Sequence, residues 1–265
     1  MNPSGKVMVV TGAGSGMGRQ VALELLRRGA KVAAVDMNGA TLAETVTLAG
    51  PGAAISTHVV NITDQAAVEA LPAEVAAKHG AVDGVIHCAG IIQPFVKLAE
   101  LSYADIDRVM NVNWRGTLYM TKTFLPVLMA RPEAHIVNIS SMGGFLPVPG
   151  QTIYGASKAA VKLLTEGLNS EMKGTSVHVT VVFPGGVDTN ITQNSGVAIP
   201  TMPSGGKQPK VTTAPAAAHQ IVEGMVKNKY RVVVGSDASM LDKLYRLAPG
   251  FAAGFIAKQM KALLA

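Results

Sequence analysis

The chain has 265 residues, of which 48% are hydrophobic and 15% charged, so it can bury a sizeable core and global disorder is excluded. We expect neither a membrane-spanning helix nor a secretory signal, because no uncharged apolar run reaches about 18 residues and the start of the chain lacks the signal pattern. The single cysteine, Cys88, excludes an internal disulfide and favours a reducing, cytoplasmic location.

The net charge of +6 is confined to the C-terminal quarter of the chain. Residues 1–200 hold 14 basic and 14 acidic side chains, whereas residues 201–265 hold 9 basic and 3 acidic ones. The basic residues are scattered and aromatic residues make up only 5%, so we expect no nucleic-acid binding. An ordinary solvated surface explains most of this charge, and contact with a membrane surface is the alternative.

Short apolar runs alternate with segments of helical spacing along the chain. The strands predicted from these runs are Lys6–Thr11, Lys31–Asp36, Ala54–Val60, Val82–His87, His135–Ser140, Val177–Phe183 and Tyr230–Gly235. Helical spacing marks Met17–Arg28, Gln65–His79, Tyr103–Ala130 and Tyr154–Lys173. Strands that are apolar on both faces and separated by helices predict an α/β fold with a three-layer, doubly wound parallel sheet of about seven strands. We expect residues 1–265 to form a single domain.

A glycine-rich loop follows the first predicted strand and opens the first helix, with the sequence Thr11-Gly-Ala-Gly-Ser-Gly-Met-Gly18. Glycines allow the backbone to approach a phosphate, and the helix start offers free N–H groups to it. Asp36 ends the second strand, 20 residues after Gly16. Its carboxylate can accept hydrogen bonds from both ribose hydroxyls of an adenosine and would repel a 2′-phosphate. The sequence therefore favours NAD over NADP.

Tyr154 and Lys158 open the last long helical segment, and their spacing of four residues places both on one helix face. A neighbouring cation favours the phenolate, so we expect Lys158 to lower the pKa of Tyr154. Ser141 follows a strand end, 13 residues before Tyr154, and could donate a hydrogen bond to a substrate oxygen. Ser140 could do so on chemical grounds alone, and Asn113 is a further candidate.

These motifs occur in the order and at the spacings typical of short-chain dehydrogenases/reductases, and the chain resembles that family from about Lys6 to Thr192. The resemblance implies a Rossmann-like fold and a catalytic set of Asn113, Ser141, Tyr154 and Lys158, with Ser141 preferred to Ser140 and Asn113 to Asn111. Tyr154 would be the general acid/base, Lys158 would also hold the nicotinamide ribose, and Asn113 would anchor a water. Cofactor contacts are expected from Gly12, Ser15, Gly16, Met17, Gly18, Asp36, Met37, Asn61, Ile62, Cys88, Ala89, Gly90, Tyr154, Lys158, Pro184, Gly185, Val187 and Thr189.

One segment departs from the family pattern. Where the family commonly shows Asn-Asn-Ala-Gly, this chain has His87-Cys-Ala-Gly90, and we expect the loss of the amides to loosen the support of neighbouring strands. Cys88 has no activating neighbour in sequence and is interpreted as a small buried hydrophobe. The histidines show no metal-ligand spacing, so no metal site is expected.

The segment at about 190–214 is irregular and is expected to close over the substrate as a lid. Substrate contacts are expected from Ser141, Tyr154, Met142 and Ile191. The predicted walls are mostly apolar and favour a lipophilic alcohol or ketone; they comprise Met142, Phe145, Leu146, Val148, Ile153, Ile191 and Val197.

The C-terminal tail, at about 238–265, combines apolar and basic residues at helical spacing. It is expected to pack on a subunit or on the lid, with weak membrane-surface contact as the alternative. The family resemblance implies a homodimer or homotetramer, with the helical segments Tyr103–Ala130 and Tyr154–Lys173 between subunits.

The leading functional hypothesis is hydride transfer between NAD(H) and a secondary alcohol or ketone. Two alternatives remain open: a non-catalytic NAD-binding sensor, and a dehydratase or epimerase that acts on nucleotide-sugars. A sensor typically lacks the tyrosine, and a nucleotide-sugar enzyme usually has a longer substrate domain.

Overall fold

The computed structural model describes residues 1–197 and 211–260. Its strands are β1 (Val7–Thr11), β2 (Lys31–Asp36), β3 (Ile55–Val59), β4 (Gly84–His87), β5 (Ala134–Ile139), β6 (Val177–Pro184), β7 (Val187–Asp188), β8 (Thr212–Thr213) and β9 (Arg231–Val234). Seven of them form one parallel sheet in the order β3-β2-β1-β4-β5-β6-β9, and β7 pairs with β8 apart from it. Each predicted strand overlaps an observed one, and the predicted fold class is confirmed.

Helices cover both faces of the sheet. They are α1 (Gly16–Arg27), α2 (Gly39–Ala49), α3 (Gln65–His79), α4 (Tyr103–Met110), α5 (Thr117–Met129), α6 (Thr152–Glu171), α7 (Ile191–Ser195), α8 (Ala214–Val226), α9 (Ser236–Leu247) and α10 (Pro249–Met260). A π-helical turn, Asn111–Gly116, joins α4 to α5, so the predicted segment Tyr103–Ala130 is helical throughout but is not one regular α-helix.

The sheet is held by apolar side chains on both of its faces. Every residue of β1 and β5 is buried, and their valines, isoleucines and methionine alternate between two core layers. One layer packs the sheet against α1 and α8, and the other packs it against α3 and α5. Since each fully buried aliphatic side chain contributes roughly 1.5–3 kcal/mol, these layers are the main source of fold stability.

The chain reverses its direction of winding between β1 and β4. β1 pairs with β2 on one side and with β4 on the other, and the connections before and after this point run to opposite edges of the sheet. Open α/β sheets place ligands at such a switch point, outside the carboxyl ends of the strands. Most of the residues predicted to bind the cofactor lie in this crevice.

A third cluster of apolar side chains lies at the C-terminal end of the chain. Leu146 is fully buried there against Leu241, Ala252 and Ile256 of α9 and α10. On their outer surface, Phe251 and Phe255 are exposed. The described part of the tail is therefore packed on the domain along one face, and residues 261–265 lie outside the described structure. No described helix is long and apolar enough to cross a membrane.

The departure from the family pattern at His87 leaves the pairing of the strands intact. His87 is in register with Thr11 of β1 and Asn138 of β5, and β4 pairs along its length with β5. The imidazole is nonetheless buried, and neither ring nitrogen is hydrogen-bonded to any of the described residues. This burial lowers the pKa of His87 to about 3.

We expect His87 to make the protein sensitive to acid. The folded state binds the proton only near pH 3 and the unfolded chain near the ordinary pKa of 6.5, so stability is lost as the pH falls between these values. The loss from His87 alone at about pH 5 is roughly 2 kcal/mol. His87→Leu should remove that part of the loss, as measured by urea unfolding at about pH 5 and pH 7.5. A pH dependence equal to that of the unchanged protein would contradict this expectation.

Candidate active site

The carboxyl ends of β1, β2 and β4 open into a cavity of about 560 Å³. Thirteen of the predicted cofactor residues line it: Gly12, Ser15, Gly16, Met17, Gly18, Asp36, Met37, Asn61, Ile62, Cys88, Ala89, Gly90 and Thr189. The predicted substrate residue Ile191 also lines it. This volume lies within the usual range for sites that bind small molecules and cofactors.

The glycine-rich loop forms the floor of this cavity between β1 and α1. Gly12 has φ +68°, and a β-carbon placed on it would lie 2.9 Å from the backbone nitrogen of Ala89, so only glycine fits. Ser15 stands at the N-cap of α1 without making a side-chain cap. The first backbone N–H groups of α1 are therefore available to an anion, and this cradle fits the pyrophosphate of a dinucleotide.

Asp36 lies at the rim of the cavity, held by two backbone hydrogen bonds. Its Oδ2 accepts from Gly14 N at 3.0 Å and its Oδ1 accepts from Asn38 N at 3.0 Å. The carboxylate oxygens keep lone pairs for ribose hydroxyls. The nearby Arg19 donates instead to Glu44 Oε2 at 2.6 Å and to Thr45 Oγ1 at 3.0 Å.

Cys88 forms part of the opposite wall, at the end of β4. Burial raises the pKa of its thiol to about 12, so the thiolate that a nucleophile requires is disfavoured. Cys88 is partly buried: it packs against the core and also lines the cavity, so its interpretation as a buried hydrophobe holds only in part. Among the described residues, no group of three or more His, Cys, Asp or Glu is arranged to hold a metal ion.

Lys158 is the most deeply buried charged group of the site. Its Nζ donates to the backbone carbonyl of Ile139 at 3.0 Å, at the end of β5. A β-carbon on Gly90 would lie 3.1 Å from this Nζ, so the absence of a side chain at Gly90 makes room for the ammonium. Burial lowers the pKa of Lys158 to about 8.

Tyr154 shares the face of α6 with Lys158, and the Lys158 Nζ lies 6.0 Å from the centre of its ring. The expectation that the pKa of Tyr154 is lowered is wrong for the protein chain alone. Burial raises this pKa above 10, and a hydrogen bond with Ser141 opposes the rise. The desolvation of the phenolate therefore outweighs the opposing effect of Ser141.

The two neighbouring serines have different environments. Ser141 is partly buried, its hydroxyl accepts from Gly143 N at 3.0 Å, and its interaction with the neighbouring phenol opposes the rise in the pKa of Tyr154. The Ser140 hydroxyl is buried and donates to the carbonyl of Lys158 at 2.8 Å. Ser140 therefore ties β5 to α6, and only Ser141 presents its hydroxyl beside the phenol.

Asn113 lies in the π-helical turn and is fully buried, whereas Asn111 is partly buried. Its Oδ1 accepts from Ile91 N at 2.9 Å, and its Nδ2 donates to Ile91 O at 2.9 Å and Ser157 Oγ at 3.0 Å. A π-turn shifts the helix register by one residue, and such turns are frequent at functional sites. Asn113 thus fixes the loop after β4 against α6.

Several predicted residues lie elsewhere. Pro184, Gly185 and Val187 do not line the cavity, and the Val187 side chain packs against the core beneath α8. Tyr154, Lys158 and Ser141 lie beside the cavity and are not part of its wall.

Several of the apolar residues predicted as a substrate wall lie beside a second cavity, of about 520 Å³. Phe145, Leu146 and Val148 line it, and together with Met142 they pack against α9 and α10. The sequence alone could not reveal this contact with the C-terminal helices.

The first part of the predicted lid folds over the cavity as α7. Asn194 Nδ2 donates to Ser15 Oγ at 2.7 Å, across the mouth of the glycine-rich loop. Arg108 of α4 donates to Ser195 O at 2.8 Å, and Ser195 Oγ accepts from Ile92 N at 3.0 Å. Residues 198–210 of the predicted lid lie outside the described structure. Asn194 lines the cavity but was not predicted, because no motif marks it.

Comparisons with known proteins agree with this geometry. A family model described as short chain dehydrogenase matches residues 6–198. The chain is 39% identical over 256 residues to the putative oxidoreductase SadH of Mycobacterium tuberculosis, covering 92% of this chain and 91% of that protein.

Two solved structures superpose on nearly the whole chain. A short-chain dehydrogenase/reductase from Burkholderia phymatum in complex with NAD has a TM-score of 0.81 and 27% identity, and covers 93% of this chain and 96% of its own. One from Burkholderia cenocepacia in complex with NADP has a TM-score of 0.81 and 25% identity, with coverage of 97% and 99%.

We expect the burial of Lys158 to lower the stability of the fold. The folded state releases the ammonium proton near pH 8 and the unfolded chain near 10.5, so this destabilisation is complete below pH 8 and fades as the pH rises to 10.5. Lys158→Met should therefore raise the free energy of unfolding at neutral pH, by up to about 3 kcal/mol. Denaturant unfolding at about pH 7 and pH 10 measures this. A variant less stable than the unchanged protein at both pH values would contradict it.

Proposed function

The chain belongs to the short-chain dehydrogenase/reductase family, and we propose that it is an NAD-dependent oxidoreductase that interconverts a lipophilic secondary alcohol and its ketone. The observation that carries the proposal is the convergence of Tyr154, Ser141 and Lys158 beside the cavity. A β-carbon on Gly143 would lie 3.4 Å from the Tyr154 ring and 3.5 Å from Ser141 Oγ. These two side chains therefore face one point at the carboxyl end of β5.

The cavity fits a nicotinamide dinucleotide, with the pyrophosphate at the start of α1 and the adenosine ribose at Asp36. Such a cofactor supplies the carbon that accepts or donates the hydride. Ser141 donates a hydrogen bond to the substrate oxygen, and Tyr154 takes the hydroxyl proton during oxidation or returns it during reduction. Lys158 provides the positive charge that favours the phenolate form.

The protonation state of the Tyr154 phenol determines whether it acts as the acid in reduction or as the base in oxidation. Burial keeps the proton on Tyr154 at neutral pH, so the side chain is prepared to act as the acid in ketone reduction. Alcohol oxidation requires the phenolate, which the positively charged form of the nicotinamide ring and Lys158 together favour. Asn113 supports both directions by holding the loop that carries Ile91 and by bonding Ser157 on α6.

The preference for NAD is supported by the charges around the adenosine end. The backbone N–H groups that hold Asp36 keep its carboxylate at the cavity rim. A 2′-phosphate placed there would meet this negative charge, and Arg19 is paired with Glu44 rather than free to neutralise it. Both features disfavour NADP.

A lipophilic substrate is supported by the apolar side chains Ile91, Val112 and Ile191 at the dinucleotide cavity. It is also supported by Phe145, Leu146 and Val148 at the second cavity, beside Gly143. We also propose that the chain forms a homodimer or homotetramer through α4, α5 and α6. These helices expose large apolar side chains, namely Tyr103, Val127, Met129 and Leu163. The exposed Phe251 and Phe255 of α10 are proposed to contact a subunit, with a membrane surface as the alternative.

We expect Tyr154→Phe to reduce turnover by about a hundred- to ten-thousandfold, the usual contribution of a general acid/base. The assay follows NADH formation with isopropanol, cyclohexanol, menthol and a steroid alcohol, and NADH consumption with the matching ketones. Affinity for NADH, measured by quenching of Trp114, should change by less than about threefold, since the phenol hydroxyl contributes little to cofactor affinity. Full turnover by the variant would exclude Tyr154 as the acid/base.

Asp36→Ala should change the choice of cofactor. Removing the carboxylate takes away two acceptors for ribose hydroxyls and the charge that repels a 2′-phosphate, so the ratio of NADPH to NADH affinity should rise at least about tenfold, or roughly 1.4 kcal/mol. Quenching of Trp114 measures both affinities. The ratio is its own control, because a general loss of folding weakens the affinities for NADH and NADPH together. An unchanged ratio would contradict the assignment of Asp36 as the ribose ligand.

A further inference from the structure

We propose that Gln93, in the loop between β4 and α4, is a positioning residue that holds Tyr154 in its reactive place. The proposal rests on the proposed function, because it concerns the same acid/base. Gln93 is fully buried, so it cannot itself contact the substrate. Its side chain contacts the backbone at the start of α6 instead.

The amide of Gln93 makes three hydrogen bonds to this part of the chain. Its Oε1 accepts from Ile153 N at 2.8 Å and from Tyr154 N at 2.9 Å. Its Nε2 donates to Gly150 O at 3.0 Å. One side chain therefore fixes both the backbone of Tyr154 and the turn that leads into its helix.

Among the residues that the structure describes, no other side chain caps the start of α6. The first N–H groups of a helix lack partners inside the helix and usually bond to a side chain at the N-cap position. Gln151 occupies that position in α6 but makes no such bond. Gln93, 60 residues away in sequence, supplies the missing acceptor, without which these N–H groups would lack a protein partner.

The same loop forms part of the cofactor wall. Gly90 and Ile91 line the cavity, and Asn113 holds Ile91 by hydrogen bonds to both its N–H and its carbonyl. Two residues later, Gln93 holds α6. The short segment from Ile91 to Gln93 is hydrogen-bonded at both ends, so it sets the distance between the cavity wall and the phenol of Tyr154. A cap at Gln151 would fix the helix but not its distance from the cavity wall.

Loss of these bonds should displace the phenol rather than remove it. Because reactions between bound groups are sensitive to displacements of about 1 Å, the effect should fall on the chemical step. A phenol that moves away from Lys158 also loses part of its stabilisation as phenolate. The pH at which oxidation reaches half its maximum should therefore rise.

The test compares Gln93→Met with the matched variant Gln151→Met. Gln151 is also a buried glutamine beside the start of α6, and its Nε2 donates to the carbonyls of Gln93 and Gly150. It gives no acceptor to Ile153 or Tyr154. Both variants should lose stability, but only Gln93→Met should lose the alignment of Tyr154.

For Gln93→Met we expect the kcat of cyclohexanol oxidation to fall at least about tenfold, with the KM for NAD changed by less than about threefold. The pH of half-maximal rate should rise by at least about half a unit. Gln151→Met should match the unchanged protein in all three. Equal kinetic parameters and pH profiles in the two variants would overturn the proposal.

Two further measurements keep the proposal testable. If Gln93→Met does not fold, Gln93→Glu preserves an acceptor for both N–H groups, and its protonated form can also donate to Gly150 O. Its turnover of cyclohexanone with NADH should approach that of the unchanged protein at acidic pH and fall as the carboxyl ionises; a low rate at every pH would overturn the proposal.

If the unchanged protein turns over no alcohol or ketone, the proposed function fails, but the contact itself can still be examined. The amide protons of Ile153 and Tyr154 should exchange with solvent at least about tenfold faster in Gln93→Met than in Gln151→Met. Equal exchange in the two variants would show that Gln93 does not hold the start of α6.

Discussion

The burial of the Lys158 ammonium is the interaction on which the rest of the site depends. A charge removed from water must be hydrogen-bonded, and the carbonyl of Ile139 at the end of β5 accepts from it. Space for the ammonium exists because Gly90 has no side chain, and Ser140 fixes the same residue of α6 through its carbonyl. The sheet end, the loop after β4 and α6 therefore meet at one buried cation, and the phenol of Tyr154 lies on the same helix face.

Features that arise from local spacing could be predicted from the sequence. The alternation of apolar strands and helices fixes the parallel sheet, and the glycine-rich loop lies where a strand turns into a helix. Tyr154 and Lys158 share a face because a helix brings together residues four apart. The position of Asp36 at the cavity rim could be predicted because Asp36 ends a strand beside the switch point.

Features that depend on packing between distant segments could not be predicted. Phe145, Leu146 and Val148 have the composition of a substrate wall, but nothing in their local sequence shows that α9 and α10 pack against them. Nothing in the sequence around Gln93 indicates that it caps a helix 60 residues away. The direction in which the pKa of Tyr154 shifts could not be predicted either. The motif contains the lysine, but the burial that raises the pKa arises from the whole surrounding structure.

Burial and a nearby positive charge act in opposite directions on the pKa of Tyr154, and the chemistry of the site depends on this opposition. The direct measurement is the absorbance titration of tyrosinate, with Tyr154→Phe as the blank, in the presence and absence of saturating NAD. Without NAD the pKa of Tyr154 should lie above its ordinary value of 10. With NAD it should fall, because a positive charge then lies close to the phenol. A pKa below 10 in the protein alone, or one that does not change when NAD is added, would contradict the claim.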